Sequence, residues 1–189
     1  MYGLDGRRRL PETELAWLAG YEGSKPVRTG NAASDQLQLD VSYDGPGLDA
    51  SLLLIPRVGF LPGDDPRVVA TVEAIERELT QDGFVLRYQT SSADDGLPGG
   101  EGVFLACSFW LVDALQAIGQ VSRAGALFDR LLQLRNDVGL LSEEWDPVAR
   151  RQLGNTPQAF SHFPLVVSAV QLDRNRQHRS DHPLTPHPA

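Results

Sequence analysis

Between Val103 and Ile118 the chain reads VFLACSFWLVDALQAI, with Asp113 as the only charge. A helix of this composition is apolar around its whole circumference, and it falls short of the ~20 residues needed to cross a bilayer. Protein must therefore cover it on every side, which calls for a surrounding layer of other elements. Two more segments have the same character. LDASLLLIPRVG at 48–59 predicts a buried helix that Pro56 bends or ends. Thr156-Pro157 predicts the start of a third, which carries Phe160, Phe163, Val166, Val167, Val170 and Leu172 and is kinked by Pro164.

Amphipathic segments alternate with these apolar ones. Asp64-Asp65-Pro66 combines a capping carboxylate with proline at the first helical position. Val68, Val69, Val72, Ile75 and Leu79 then form one stripe, with Glu73, Glu76, Arg77 and Glu78 toward water and Gly83 as the stop. After Ser122, read as a cap, Ala124, Leu127, Leu131 and Leu134 alternate with Arg123, Asp129, Arg130 and Arg135 until Asn136 and Gly139. The order inner, outer, inner, outer, inner is that of helical hairpins arranged in two concentric layers, so the fold class expected is all-α. The connections leading into inner helices, 83–101 and 136–156, are long, and long loops at one end of a rigid scaffold are where binding and catalysis concentrate.

Residues 1–41 are rich in Gly, Arg, Pro and Glu and show no sustained period, and 42–47 reads as a junction. The polar, Pro- and His-containing stretch 173–189 is expected to be a disordered tail. The formal net charge of -8 argues against a nucleic-acid partner. No apolar segment reaches membrane-spanning length, no secretory leader is recognisable, and Cys107 is the only cysteine, which together predict no membrane association and a cytoplasmic location. Cys107 itself reads as a buried thiol.

The second long loop places Glu143, Glu144 and Asp146 around Trp145. Carboxylates beside an indole suit sugars, whose C–H faces stack on the ring while the carboxylate accepts hydroxyl hydrogens or activates water. The first long loop offers Arg87-Tyr88, Asp94-Asp95 and Glu101 among several glycines. By composition alone the second loop reads more readily as a solvated acidic loop than as a catalytic one, and the first has a flexible, charged connector as its plain reading. His162 reads as a hydrogen-bonded core histidine, neither acidic pair extends into a metal-binding cluster, and phosphate-loop, serine-hydrolase and zincin motifs are absent. Neither a metal nor any other cofactor is expected.

EGVFLACSFWLVDAL at 101–115, NDVGLLSEEWDP from 136 and RQLGNTPQAFSH up to 162 resemble the C-terminal part of glycoside hydrolase family 15, the glucoamylases and actinobacterial-type trehalases. The likeness extends in order through 48–79 and DGFVLRY at 82–88, while residues 1–41 resemble an earlier part of the same catalytic domain. The resemblance implies a six-hairpin (α/α)6 toroid, here a partial ring over 42–172, and inverting hydrolysis of α-glucosidic bonds in trehalose or α-gluco-oligosaccharides. It makes Glu143 the general base and Arg87 a substrate contact, with Lys25 and Arg28 on the sugar-binding rim. Glu101, ahead of an inner helix, and Trp145 complete the candidate pocket. The family's stretch carrying the general-acid glutamate is expected between DQLQLD and LDASLLL, where only a few residues stand. The acid is therefore expected to be missing and activity impaired, with a non-catalytic carbohydrate-binding or scaffold remnant as the competing reading. A helical-repeat adaptor fits poorly, since the hairpin spacing exceeds the ~34-residue repeat. A part-ring is also expected to self-associate through its exposed edges.

Overall fold

The computed structural model describes residues 27–28, 37–38, 48–88 and 102–181. One short antiparallel pair, β1 (Val27–Arg28) with β2 (Leu37–Gln38), stands at the N-terminal side, and β2 lies against the helix Pro66–Glu78. A 3-10 turn follows at Ala50–Leu54, then α1 (Pro66–Glu78), the hairpin β3 (Thr80–Gln81) and β4 (Phe84–Val85), and β5 (Val103–Phe104). β5 runs directly into α2 (Leu105–Ala117), followed by α3 (Val121–Leu132), the pair β6 (Glu144–Asp146) and β7 (Arg151–Leu153), and α4 (Ala159–Asp181).

The expected all-α class is corrected to helix-rich with three small sheets among the described residues. One of them, β5-β6-β7, takes its first strand from the start of the expected inner helix at 103–118 and the other two from the expected connection at 136–156: Val103 pairs with Trp145, Phe104 with Glu144, and Glu144 with Leu153. Strands so short leave no period to detect, and they exist because tertiary partners supply their hydrogen bonds.

Helix α2 is central, as its composition requires. Leu105, Cys107, Phe109, Leu111, Val112, Ala114 and Leu115 are all buried, and α3, α4 and the 3-10 turn pack around it. α1 and α3 present single stripes, Val68, Val72 and Ile75 on one, Ala124, Leu127 and Leu131 on the other. Asp65 caps α1 through a 2.9 Å bond from Arg67 N–H, with Pro66 at the first position, as expected.

Four local readings change. The buried helix at 48–59 is reduced to a 3-10 turn, because Pro56 has no N–H to offer Leu52 O, and Ile55 N–H takes that carbonyl instead. Ser122 lies inside α3, whose cap position is Gln120 with no side-chain bond, and the helix ends at Leu132 rather than near Asn136. α4 begins at Ala159, after a cis Thr156-Pro157 bond, and not at Thr156. It also runs to Asp181, so 173–181 is helical rather than disordered tail. Gln177 bonds Asp173 one turn back and Asn175 donates to Gln116 of α2, which supports this extension.

α4 is also only half covered. Ser161, Pro164, Ser168 and Leu172 are buried, whereas Phe160, Phe163, Val166 and Val170 are 50%, 67%, 58% and 44% exposed. The expected inner helix thus has a bare apolar face.

Candidate active site

The N-terminal end of α2 gathers the candidate chemistry. β5 brings the chain in, and Gly102 sits where a side chain could not, since a Cβ there would stand 2.6 Å from Trp145 O. Leu105 N–H, the first of the helix, donates to Glu143 O, and Gly102 N–H donates to the Glu144 carboxylate at 2.8 Å. The acidic stretch is therefore fastened to the helix by main-chain and side-chain bonds together.

From the other side it is fastened to the start of α4. Gln158 N–H donates to Leu141 O, and His162 accepts the Leu141 N–H at Nε2 while its Nδ1 lies 2.7 Å from Gln158 O. These two contacts fix the tautomer with hydrogen on Nδ1 and give His162 the structural role its sequence context indicates. Ser161 Oγ donates to Ser142 O at 2.7 Å. Glu143 N–H donates to Asn155 O, and Glu143 Oε2 accepts from Asn155 N–H at 3.2 Å and from Asn155 Nδ2 at 3.0 Å. Leu141, Ser142 and Glu143 are thus each tied to 155–162, and the part-buried Glu143 is held by a residue at the far end of its own loop, Asn155.

Arg87 reaches the same end of α2. Its guanidinium lies 5.7 Å from the Phe104 ring centre and 4.6 Å from that of Tyr88, and it donates to the Tyr88 hydroxyl at 2.8 Å. Phe104 is also the strand partner of Glu144, so the ring that Arg87 meets belongs to the strand beside the carboxylate stretch. Ala50 N–H bonds Arg87 O, and Asp49 bridges Tyr88, which seats this arginine on the 3-10 turn. Cys107, in the first turn of α2, is fully buried; burial, then nearby Asp49, pushes its thiol pKa up, while Arg87 pulls it down. A thiol so placed is not a nucleophile.

Trp145 follows Glu144 in β6. It packs part-buried on the core and lines a groove of about 210 Å³ with Phe84, Arg130, Gln133, Leu134 and Pro147, beside α3. Of the remaining candidates, Glu101 and Lys25 lie outside the described residues, and for Arg28 the backbone alone is described, paired with Leu37. Asp94-Asp95 lie outside them as well. No group of His, Cys, Asp and Glu among the described residues has the geometry of a metal site.

The residues that sequence reasoning passed over are Gly154, Asn155, Gln158 and Ser161. Their signal was present in the stretch RQLGNTPQAFSH, which carried the resemblance without any role being given to its polar members.

The sequence profile of Glycosyl hydrolases family 15 matches residues 41–170. "Trehalase" of Mycolicibacterium smegmatis is 53% identical over 158 residues, covering 84% of this chain and 24% of the relative, so the chain spans about a quarter of that protein's length. "Trehalase 1" of Sulfolobus acidocaldarius is 24% identical over 272 residues, 91% of this chain and 48% of the relative. That aligned span exceeds the 189 residues of the chain, so this relative carries residues within it that the chain lacks. A solved structure, "Glycosidase Wild Type", superposes with a TM-score of 0.62 at 25% identity, over 77% of this chain and 41% of that one.

Proposed function

This chain belongs to glycosyl hydrolases family 15, and from that premise we propose that Glu143 is the general base of an inverting α-glucosidase site acting on trehalose or short α-gluco-oligosaccharides. The observation that carries the reading is the fixed Glu143 carboxylate at the N-terminal end of α2, with Arg87 on the same end of that helix. Likeness to "Trehalase" proteins supports the substrate class. The wider architecture in this reading is an arc of a six-hairpin toroid, with 48–181 supplying its C-terminal inner and outer helices. Arg87 holds the sugar, and Lys25, Arg28, Glu101 and Trp145 remain candidate contacts around it.

Inversion needs a base on one face of the sugar and an acid about 6.5–9.5 Å away on the other, with a water between base and anomeric carbon. Glu143 can take the proton from that water but cannot also protonate the departing oxygen. The longer aligned span of the Sulfolobus acidocaldarius relative supports an internal loss in this chain, and we place the acid within the lost stretch. Hydrolysis of ordinary glucosides is then slower by the ~10²–10⁴-fold that a positioned acid contributes.

α-Glucosyl fluoride separates the two functions. Fluoride leaves with the bonding electron pair and needs no acid, while Glu143 removes the proton from the attacking water and β-glucose forms first. The purified chain should turn over the fluoride slowly and leave trehalose essentially intact. Glu143→Gln should abolish fluoride turnover. Glu144→Gln keeps an acceptor for Gly102 N–H and should largely spare it. Ready hydrolysis of trehalose would overturn the missing acid, and sugar binding without any fluoride turnover would instead favour a non-catalytic carbohydrate-binding remnant.

A further inference from the structure

Among the described residues, the Glu143 carboxylate is gripped on one oxygen only. Oε2 accepts both the main-chain N–H and the side-chain Nδ2 of Asn155, and the Asn155 carbonyl in turn receives Glu143 N–H, so the two residues embrace through three hydrogen bonds. Oε1 accepts no hydrogen bond from the described residues. The neighbouring position closes the grip. Gly154 has φ +70°, in the left-handed region, and a Cβ there would stand 2.8 Å from Glu143 Oε2 and 3.0 Å from Glu143 Cβ. The backbone at 154 thus approaches so near to the carboxylate that only glycine fits, and its left-handed turn is what aims both Asn155 donors at Oε2.

We propose that Asn155, delivered by Gly154, is a positioning residue that anchors Glu143 through Oε2 and thereby makes Oε1 the oxygen that draws the proton from water. A carboxylate free to rotate offers either oxygen along many directions, whereas one pinned on a single oxygen presents the other in a fixed direction. Catalysis by a base is sensitive to such placement, with an error of about 1 Å costing on the order of 10²-fold. Asn155 is exposed, so a lone hydrogen bond would compete poorly with solvent. Two donors on one residue, a reciprocal main-chain bond and a glycine in contact make the arrangement over-determined. The inference rests on Glu143 being the base, but the grip itself can be tested apart from that.

The full chain and three variants, Glu143→Gln, Asn155→Ala and Asn155→Asp, would be compared in α-glucosyl fluoride turnover, melting temperature and crystal structure. Asn155→Ala keeps the main-chain bonds and loses Nδ2, so kcat should fall by about 10-fold or more with KM little changed. Asn155→Asp preserves the shape but sets a like-charged acceptor against Oε2, so kcat should fall further than in the alanine variant. A residue that merely supported the loop would lower the melting temperature of the alanine variant and leave the isosteric one near wild type, which would overturn the proposal. The crystal structure of Asn155→Ala should show the Glu143 carboxylate rotated away or spread over several rotamers. An unmoved, singly oriented carboxylate would overturn the grip whatever the kinetics. If the wild type has no turnover that Glu143→Gln removes, the base assignment fails, and the structural comparison still decides whether Asn155 orients this side chain.

Discussion

Asp113 is the one carboxylate buried among the described residues, on the helix whose apolar run contains no other charge. Arg57 reaches it at 2.8 Å and Ser168 Oγ at 2.6 Å, yet burial outweighs both and its pKa lies above the ordinary 3.8. A carboxyl with a raised folded-state pKa holds its proton more tightly in the fold than in the open chain. Its contribution to stability is therefore fully present below pH 3.8 and is lost as pH rises through the folded value. Asp113→Asn keeps a polar partner for Ser168 and removes this titration. The melting temperature of the wild type relative to Asp113→Asn should rise as pH is lowered from neutral toward 4; a difference independent of pH would contradict the burial argument. Position 113 was legible as an anomaly in the sequence, but its partners, 56 and 55 residues away, were not. The same distinction holds at Glu143, whose role the SEE context implied while the Asn155 grip depends on a left-handed Gly154 that no composition reveals.

Among the elements, α1 is the one whose start the sequence specified most completely, because a cap is local chemistry. Asp65 accepts from Arg67 N–H and pairs with its guanidinium at 2.7 Å, and the side-chain bond followed by the backbone bond holds its pKa down at about 2. A depressed carboxylate contributes stability that is present above pH 3.8 and lost as pH falls toward 2. Asp65→Ala should lower the melting temperature at neutral pH and shrink the loss seen on acidification through that window. Asp65→Asn, still a good cap, should recover part of the neutral-pH loss. Circular dichroism melts across pH check both, and an Asp65→Ala profile parallel to wild type would refute the cap's acid dependence. The elements misread were those fixed from outside: β5, β6 and β7 exist through mutual pairing, and α4 extends past 173 because Asn175 finds Gln116.

At the scale of the whole molecule, the most consequential feature is the bare face of α4, where Phe163, Val166 and Val170 recur at helical spacing and are exposed. The buried side of the same helix carries Ser161, Pro164, Ser168 and Leu172, and Ser168 Oγ donates to Asp113 Oδ1 of α2. An apolar stripe left uncovered by the described residues favours association. The purified chain should show concentration-dependent self-association in sedimentation velocity, and Phe163→Lys combined with Val166→Lys should return it to monomer without loss of helicity. A wild type that stays monomeric at every concentration would count against this reading of the edge. The central helix follows opposite rules, since its burial was required by its own composition.

What the sequence determined by itself was therefore what short range can encode: a central helix buried on all sides, two amphipathic partners, the Asp65 cap, and a family-specific stretch holding Glu143. Tertiary structure alone decided how that carboxylate is held, paired part of a supposed loop as strands, set Trp145 in a groove beside α3, and left one face of α4 exposed. The physical reason is one of distance along the chain. Periodicity and capping involve neighbours within a turn, whereas strand pairing, carboxylate orientation and the covering of a face depend on partners that only the folded backbone brings together.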